Sequence, residues 1–227
     1  MKKFVKDNSL SLTFAALFIL ALAGHSISGW KFYNEQLSGH QMAPVSYWKY
    51  LGTGSFLDSA FTNWQAAVLQ LACLIIFSEE LYQRGASHSR KPDGDGENQK
   101  SGKQHQKESD SKKRKSGQKK RPQHTSWIYR NSLSLAFVAI TAATFILHVI
   151  FGTMSYNEDR ALEHQPPLTI AQFFVSSKFW FLTVQTWQAE FFAILVFIIL
   201  TIFLRQQGSA ESKPTNASDK ETGEANK

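Results

Sequence analysis

Long apolar runs alternate along this chain with stretches that are almost wholly polar. Four of the runs are long enough to cross a bilayer, at residues 10–28, 64–81, 133–151 and 187–204. Each run holds 18 or 19 residues. At ~1.5 Å per residue each reaches ~27–29 Å, close to the ~30 Å thickness of a hydrocarbon core. Because lipid offers the backbone no hydrogen-bond partners, each run is predicted to be a transmembrane helix.

The first apolar run has one competing interpretation. Residues 1–24 begin with basic side chains, continue with an apolar stretch and contain Ala21-Leu22-Ala23, the pattern of a secretory signal peptide. The third run has the same lead-in and length but lies in mid-chain, where a signal peptide does not occur. This similarity favours a first run that is retained as a transmembrane helix.

The chain matches itself when it is shifted by 123 residues. Residues 8–89 align with residues 131–212 without a gap, and 24 of the 82 aligned positions are identical. Average residue usage gives a chance identity of only about one in fifteen to one in twenty. Two helices return the chain to its starting side, so both copies have the same orientation. The sequence therefore predicts an all-α membrane protein with four transmembrane helices, arranged as two parallel tandem repeats of a helix–outer loop–helix unit.

These patterns divide the chain into four parts. The predicted organisation is a first two-helix repeat at 1–84, a basic linker at 85–126, a second two-helix repeat at 127–207 and a polar tail at 208–227. The linker and the tail nearly lack apolar residues, so burial cannot offset the conformational entropy that folding costs. Both are predicted to be disordered.

The recurring motifs resemble those of a known family. Asn-Ser-Leu-Ser-Leu opens one helix, Tyr-Asn-Glu comes after it, and Trp-Gln-Ala opens the next. This set resembles an uncharacterised bacterial inner-membrane family that is classed only as a domain of unknown function. Residues 130–214 match its pattern best, and residues 78–85 depart from it. The resemblance implies a bacterial four-helix membrane protein, and it brings no activity, substrate or catalytic residue with it.

The distribution of basic residues predicts the orientation. Of the 25 Lys and Arg residues, 21 lie in the N-terminal segment, the central segment and the tail, while the two outer loops hold two each. The positive-inside rule then places both termini and the linker in the cytoplasm of a multi-pass protein of the bacterial inner membrane.

The linker contains a basic cluster. Its members are Lys112, Lys113, Arg114, Lys115, Lys119, Lys120 and Arg121. On a tether beside a bilayer these side chains are predicted to contact anionic lipid headgroups, at about 1 kcal/mol per basic residue. The main alternative is a solvated tether that only sets the topology. Nucleic-acid binding is disfavoured because the membrane phosphates are nearer.

The two outer loops, residues 29–63 and 152–186, are longer than simple connections. Each contains proline and then an aromatic-rich stretch, at residues 45–61 and 168–184. These stretches are predicted to form short helices that lie at the outer interface and cap the bundle.

Two histidines are the sharpest candidates for chemistry. His25 and His148 each lie three residues before the end of their apolar run. Facing imidazoles of this kind would ligate haem or a metal ion between helices, or relay protons. The alternative is a pair of interfacial histidines that hydrogen-bond the backbone or Gln65 and Gln188, which begin the partner helices. Because a repeat produces a histidine pair automatically, no cofactor is predicted.

Further polar residues complete the candidate set. They are Tyr33, Asn34, Glu35, Tyr156, Asn157, Glu158 and Glu190. The first six are expected to follow the outer helix ends, where they line a polar vestibule or, preferably, satisfy backbone groups of the loops. Glu190 is one turn into the fourth run, and it is expected to pair with a basic or histidine side chain or to reach the interface. Gln65 and Gln188 are expected to form interhelical hydrogen bonds.

Composition and motifs disfavour catalysis. The single cysteine, Cys73, excludes a disulfide framework and a cysteine-based metal site. The sequence also lacks a phosphate-binding glycine loop, a nucleophile elbow, a zincin helix and a dinucleotide fingerprint. We therefore expect a non-catalytic structural or partner-binding role, with the bilayer and a membrane protein or second copy as partners. The alternative is transport of a small solute or protons, or haem or metal binding through the paired histidines.

Overall fold

A computed structural model describes residues 2–89 and 126–222 of the chain. All regular secondary structure in these two ranges is helical. The helices are α1 (Lys2–Asp7), α2 (Ser9–Gly39), α3 (Tyr47–Tyr50), α4 (Gly54–Glu80), α5 (Trp127–Arg130), α6 (Ser132–Leu162), α7 (Ile170–Phe174) and α8 (Ser177–Phe203). The basic cluster of residues 112–121 and most of the predicted linker lie outside the described residues.

Four of these helices, α2, α4, α6 and α8, are long and apolar enough to cross a membrane. The predicted all-α fold with four such helices is thus confirmed. Among the 18 most apolar consecutive residues of α8 none is buried. Among the corresponding 18 residues of α2 and of α6 only 6% are buried. An apolar surface of this extent needs lipid or another protein to cover it. The chain is therefore a multi-pass membrane protein.

The long helices extend beyond the apolar runs on the side of the predicted outer loops. Helices α2 and α6 have 31 residues each, which at 1.5 Å per residue gives about 46 Å, more than the hydrocarbon core requires. They continue because a helix satisfies its own backbone whether its side chains are apolar or polar. Each ends where Gln41 or His164 has a positive φ, 58° and 57° respectively, followed by Pro44 and Pro167.

The predicted outer loops are therefore too long, and the predicted interfacial helices are wrong in extent. The stretch 45–61 forms the one-turn helix α3 and then the first two turns of α4, and 168–184 forms α7 and the start of α8. Helices α4 and α8 each begin beside a hydroxyl side chain. Thr53 Oγ1 accepts from Phe56 N, and Ser176 Oγ accepts from Phe179 N. With these first turns capped, α4 and α8 begin about ten residues before the apolar run.

Local features recur at the offset that the sequence comparison gives. Helices α2 and α6 have the same length, as do α4 and α8. Asn8 Nδ2 donates to Phe4 O at 2.9 Å, and Asn131 Nδ2 donates to Trp127 O at 2.9 Å. Gly85 has a positive φ of 86°, and Gly208, at the same offset, has one of 80°.

The residues group into two compact units. The first comprises residues 1–66 and 142–186, and its largest fully buried side chains include Phe173, Phe179, His148 and Gln65. It contains α1, α2, the short helices α3 and α7, the starts of α4 and α8 and the C-terminal part of α6, so all the described candidate residues except Gln188 and Glu190 belong to it.

The second unit comprises residues 67–141 and 187–227, of which 90–125 and 223–227 are not described. Within it the Lys213 ammonium is almost fully buried and donates to the carbonyl oxygens of Ile202 and Glu221, both at 3.1 Å. Burial first, and then the positive charge of Arg205, lower the pKa of Lys213. Ser87 Oγ also donates to Glu211 O. The disorder predicted for the tail and the linker as whole segments stays a prediction.

Candidate functional site

His148 occupies the centre of a buried polar cluster in the first unit. Its side chain is 1% exposed. Nδ1 lies 2.7 Å from Thr62 Oγ1 and 3.0 Å from Asp58 Oδ1, and Nε2 lies 3.0 Å from Thr183 Oγ1. We call Asp58, Thr62, His148 and Thr183 the His148 cluster. It joins α6 to α4 through Asp58 and Thr62, and to α8 through Thr183.

Aromatic rings enclose the His148 imidazole. Phe179 stacks on it with ring centroids 5.1 Å apart, and Phe145 packs edge-on at 6.4 Å. Phe179 in turn contacts Phe173, and both rings are at most 1% exposed. Because apolar rings offer no solvation, the polar atoms of His148 depend on the cluster for hydrogen bonds.

His25 has a simpler environment at the matching position of α2. Its Nε2 lies 3.0 Å from Ser59 Oγ, and its ring packs against Phe56 at 5.4 Å. The ring contact repeats that between His148 and Phe179, since Phe56 and Phe179 occupy matching positions. Of the two histidines, only His148 contacts a carboxylate, that of Asp58. The repeat does not supply a second one, because the position matching Asp58 in the second half of the chain is Phe181.

For Nε2 of His25 and both ring nitrogens of His148, the structure gives hydroxyl and carboxylate partners, where the alternative interpretation expected backbone groups or glutamines. His25 and His148 bond to hydroxyl and carboxylate side chains one to two turns before Gln65 and Gln188. The reason is that α4 and α8 begin earlier than their apolar runs, so their first turns lie level with the histidines. Gln65 is fully buried, whereas Gln188 is exposed. The predicted equivalence of the two glutamines therefore does not hold.

Two glycines allow aromatic side chains to approach α2 and α6. A Cβ at Gly152 would lie 2.9 Å from a Phe173 ring atom and 3.1 Å from Asp58 Oδ1. A Cβ at Gly29 would overlap the Tyr50 hydroxyl. Burial raises the pKa of the Tyr50 phenol, so this group stays protonated.

Asn34 and Asn157 tie the C-terminal ends of α2 and α6 to the segments that follow. Asn157 Oδ1 accepts from Leu168 N at 2.8 Å, and its Nδ2 donates to Leu168 O at 2.9 Å. Asn34 makes the same two bonds to Val45, at 2.8 and 3.1 Å. The predicted role of the asparagines, satisfying backbone groups after the helix, matches these bonds. The prediction that the Tyr-Asn-Glu motifs follow the helix ends is wrong, because both lie inside helices.

Glu158 caps the start of α4 from the other repeat. Its carboxylate accepts from Gly54 N at 2.7 Å and from Ser55 N at 3.2 Å, and the Tyr33 hydroxyl also donates to it. The free N–H groups of a helix N-terminus and the helix dipole both favour a carboxylate there. Glu35, the matching residue, is exposed beside an open groove that Trp30, Lys31 and Ser38 also line. The two Tyr-Asn-Glu motifs thus have different environments.

The remaining candidates do not join the cluster. Tyr156 packs on Phe173, and the Arg160 guanidinium lies 5.8 Å above the Tyr156 ring. Glu190 is partly exposed, and among the described residues no ion pair joins it to a basic or histidine side chain. Within the described residues no three His, Cys, Asp or Glu side chains are arranged to hold a metal ion.

The sequence analysis missed Asp58, Thr62, Thr183 and Ser59. A signal was present, since Asp58 is the single acidic residue of the predicted outer loop 29–63 apart from Glu35. The repeat hid it, because positions were weighed by their recurrence and Asp58 has an aromatic counterpart.

Comparison with known families now places the chain. A family model described as a domain of unknown function, DUF6766, matches residues 1–224. The chain belongs to this family. Neither the curated proteins nor the solved structures contain a match. Membership of DUF6766 confirms the expected resemblance to an uncharacterised family, and it adds no activity to the geometry described above.

Proposed function

We propose that this DUF6766 protein is a non-catalytic component of the bacterial inner membrane, with a structural or partner-binding role. The observation that carries the proposal is that the polar side chains of the first unit hydrogen-bond to neighbouring helices and loops. The His148 cluster, both asparagines and Glu158 form hydrogen bonds that join one helix or loop to another. Polar groups used in this way stabilise an arrangement of helices and leave few atoms for a reaction.

The exposed apolar faces supply the contact surface for such a role. Large side chains on α6 and α8, including Ile146, Phe192 and Leu195, are each more than half exposed. In a membrane these faces contact lipid or the helices of a partner, which include those of a second copy. The basic cluster at 112–121 would add contact with anionic headgroups on the cytoplasmic side.

A deletion strain tests the role. Loss of a structural component is expected to sensitise growth to envelope stress, such as detergent or hypo-osmotic shock. The wild-type gene and an exposed-site variant, Glu35→Gln, should restore growth. Asp58→Ala breaks the His148 cluster. We expect this variant to restore growth only in proportion to the amount of folded protein that accumulates in the membrane. Normal growth under stress together with a lost solute flux would contradict the proposal and favour transport.

The orientation is tested separately by cysteine labelling in a Cys73→Ala background. A cysteine at position 220 should react with a membrane-impermeant reagent only after the cytoplasm is opened. A cysteine at position 164, in the connection between α6 and α7, should react in intact cells once the outer membrane is permeabilised. The reverse pattern would place the termini outside.

Purified protein separates the histidine alternative. A visible absorption band of haem, or stoichiometric bound metal, that disappears in a His25→Ala/His148→Ala variant would replace the structural role by cofactor binding. For His148 that alternative requires the loss of an existing hydrogen bond, since both of its ring nitrogens are engaged.

A further inference from the structure

The hydrogen atoms of the His148 cluster can be assigned from its acceptors. Thr183 Oγ1 lies 2.9 Å from the carbonyl oxygen of Phe179, and a carbonyl only accepts, so the single Thr183 hydroxyl hydrogen is used there. The contact between Thr183 Oγ1 and His148 Nε2 therefore requires the nitrogen to donate. His148 carries a hydrogen on Nε2.

The other ring nitrogen faces two oxygens. His148 Nδ1 lies 3.0 Å from Asp58 Oδ1 and 2.7 Å from Thr62 Oγ1, and Thr62 Oγ1 also lies 3.0 Å from Asp58 Oδ1. If the Asp58 carboxylate is ionised and Thr62 donates to it, Nδ1 must donate to the two oxygens. If Nδ1 carries no hydrogen, it can accept from Thr62, but its lone pair then also faces the Asp58 oxygen at 3.0 Å, which is repulsive unless Asp58 itself is protonated.

Both permitted arrangements contain the same extra proton. In one, a doubly protonated imidazolium pairs with the Asp58 carboxylate, and in the other a neutral imidazole accepts from a protonated Asp58. The arrangement without that proton, neutral His148 beside ionised Asp58, leaves the charge of a partly buried carboxylate facing a lone pair. The His148 side chain is 1% exposed and that of Asp58 is 15% exposed, so water can replace little of the missing interaction.

His25 provides an internal comparison. Ser59 Oγ lies 2.8 Å from the carbonyl oxygen of Phe56, so its hydroxyl hydrogen is used there and Nε2 of His25 donates to Ser59. No carboxylate lies within ion-pair distance of His25 among the described residues. One hydrogen, on Nε2, accounts for this contact, so His148 has a carboxylate partner that its counterpart on α2 lacks.

Few other charged groups lie near the pair. On α4 the only one is Asp58 itself. On α6 they are Asp159, which is exposed and interacts electrostatically with Asp58 and more strongly with Lys178, and Glu158, whose carboxylate accepts from Gly54 N and Ser55 N one turn before Asp58. Lys178 stands at the start of α8, whose residues in contact with His148 are Thr183 and Phe179. Among the described residues no further ion pair reaches Asp58 or His148.

We propose that Asp58 and His148 form a buried proton-binding site, in which one proton shared by the two side chains holds α4 and α6 together. The ligand is a proton, and Thr62 and Thr183 position the imidazole to receive it. Binding is coupled to packing, because loss of the proton turns the Asp58–His148 contact from attractive to repulsive. Uptake of the proton thus favours the packed form of the first unit, and by reciprocity packing favours uptake. Proton binding at this site goes beyond a purely structural role.

Nuclear magnetic resonance of the intact protein in lipid nanodiscs tests the site. Histidine labelled with ¹⁵N and aspartate labelled with ¹³C at the carboxyl report the protonation of each group, and His25→Gln and His148→Gln assign the two signals. We expect the pair to hold the shared proton, seen as hydrogens on both ring nitrogens of His148 beside an ionised Asp58, while His25 shows one ring hydrogen. Neutral His148 with protonated Asp58 supports the same site. Neutral His148 with ionised Asp58 would overturn it.

Two variants show that Asp58 is responsible for the proton. Asp58→Asn should abolish the Nδ1–H signal of His148 and keep the Nε2–H bond to Thr183. Asp159→Asn, the matched change on an exposed aspartate, should leave both signals in place. Retention of both ring hydrogens in Asp58→Asn would overturn the assignment. If Asp58→Asn does not fold, Thr62→Val tests the same point, because removal of the hydroxyl should leave the proton bound between Asp58 and Nδ1.

Discussion

Asp58 Oδ1 lies 3.0 Å from Nδ1 of His148, which is 90 residues later in the chain. The contact pairs the only acidic residue in the first turns of α4 with the histidine of the second repeat, while the histidine of the first repeat bonds to a hydroxyl group. A chain whose two halves share helix bounds and local hydrogen bonds is thus asymmetric at its most buried polar cluster.

Replacing Asp58 should destabilise the protein strongly. Asp58→Ala leaves the buried His148 imidazole and the Thr62 hydroxyl without the oxygen they contact, and an unsatisfied buried polar group typically costs about 1–3 kcal/mol. Equilibrium unfolding of the purified protein in mixed micelles measures the loss. Asp159→Ala, on an exposed position, should change the free energy of unfolding by no more than about 0.5 kcal/mol. Equal effects of the two variants would contradict the cluster.

Glu158 and Glu35 should differ although they occupy matching positions. Glu158→Gln keeps the size of the side chain but removes the charge that caps α4 at Gly54 and Ser55, so we expect a loss of about 1 kcal/mol. Glu35→Gln should have no measurable effect, because that side chain is exposed. Thermal unfolding monitored by circular dichroism compares them. A larger effect at Glu35 would argue against the cap.

A methyl group at Gly152 should disturb the packing next to the cluster. Gly152→Ala places a Cβ 2.9 Å from Phe173 and 3.1 Å from Asp58 Oδ1, and overpacking of this kind costs about 1–3 kcal/mol. The control is Gly24→Ala, since a Cβ there meets nothing within 4 Å. In the middle of a helix that change is expected to stabilise by roughly 0.5–1 kcal/mol. Unfolding curves should therefore shift in opposite directions, and a shift in the same direction would refute the close approach.

The two asparagine bridges should differ somewhat in strength. Asn157→Ala leaves both the N–H and the carbonyl of the partly buried Leu168 without a partner, whereas Asn34→Ala leaves only the N–H of Val45, because the Val45 carbonyl also accepts from Trp30 Nε1 at 2.8 Å. An unsatisfied group of this kind costs about 1–3 kcal/mol. Asn63→Ala serves as the control, since Asn63 is exposed and only donates to Ser59 O within its own helix. Hydrogen exchange of the Val45 and Leu168 amides should accelerate only in the bridge variants; unchanged exchange would count against the bridges.

The sequence pattern alone was sufficient for the number, type and approximate place of the membrane-spanning helices. Apolar runs of about 18 residues permit few structures in lipid, because the backbone must satisfy its own hydrogen bonds there. Their ends were harder to predict. Residues 29–39 and 54–63 are polar enough to read as loop, yet they are helical, because a helix can continue into water until a residue with positive φ or a proline stops it.

The candidate site was predicted only in part. His25 and His148 were identified from their depth in the helices, and the asparagines from the Tyr-Asn-Glu motif that recurs after the first apolar run of each repeat. Their partners were not, because hydrogen bonding between α4 and α6 depends on how the two helices are rotated and shifted along their axes, which periodicity does not encode.

What the sequence by itself determined about this protein is therefore local: which segments are helical and apolar, where they repeat, and which side chains lie at the same level. Only the tertiary structure decided that Asp58 meets His148, that Glu158 caps α4 while Glu35 stays exposed, and that Gln65 is buried while Gln188 is not. The physical reason is that hydrophobicity and helix formation depend on residues close in the chain, whereas a buried polar pair depends on two side chains that folding alone brings within hydrogen-bond distance.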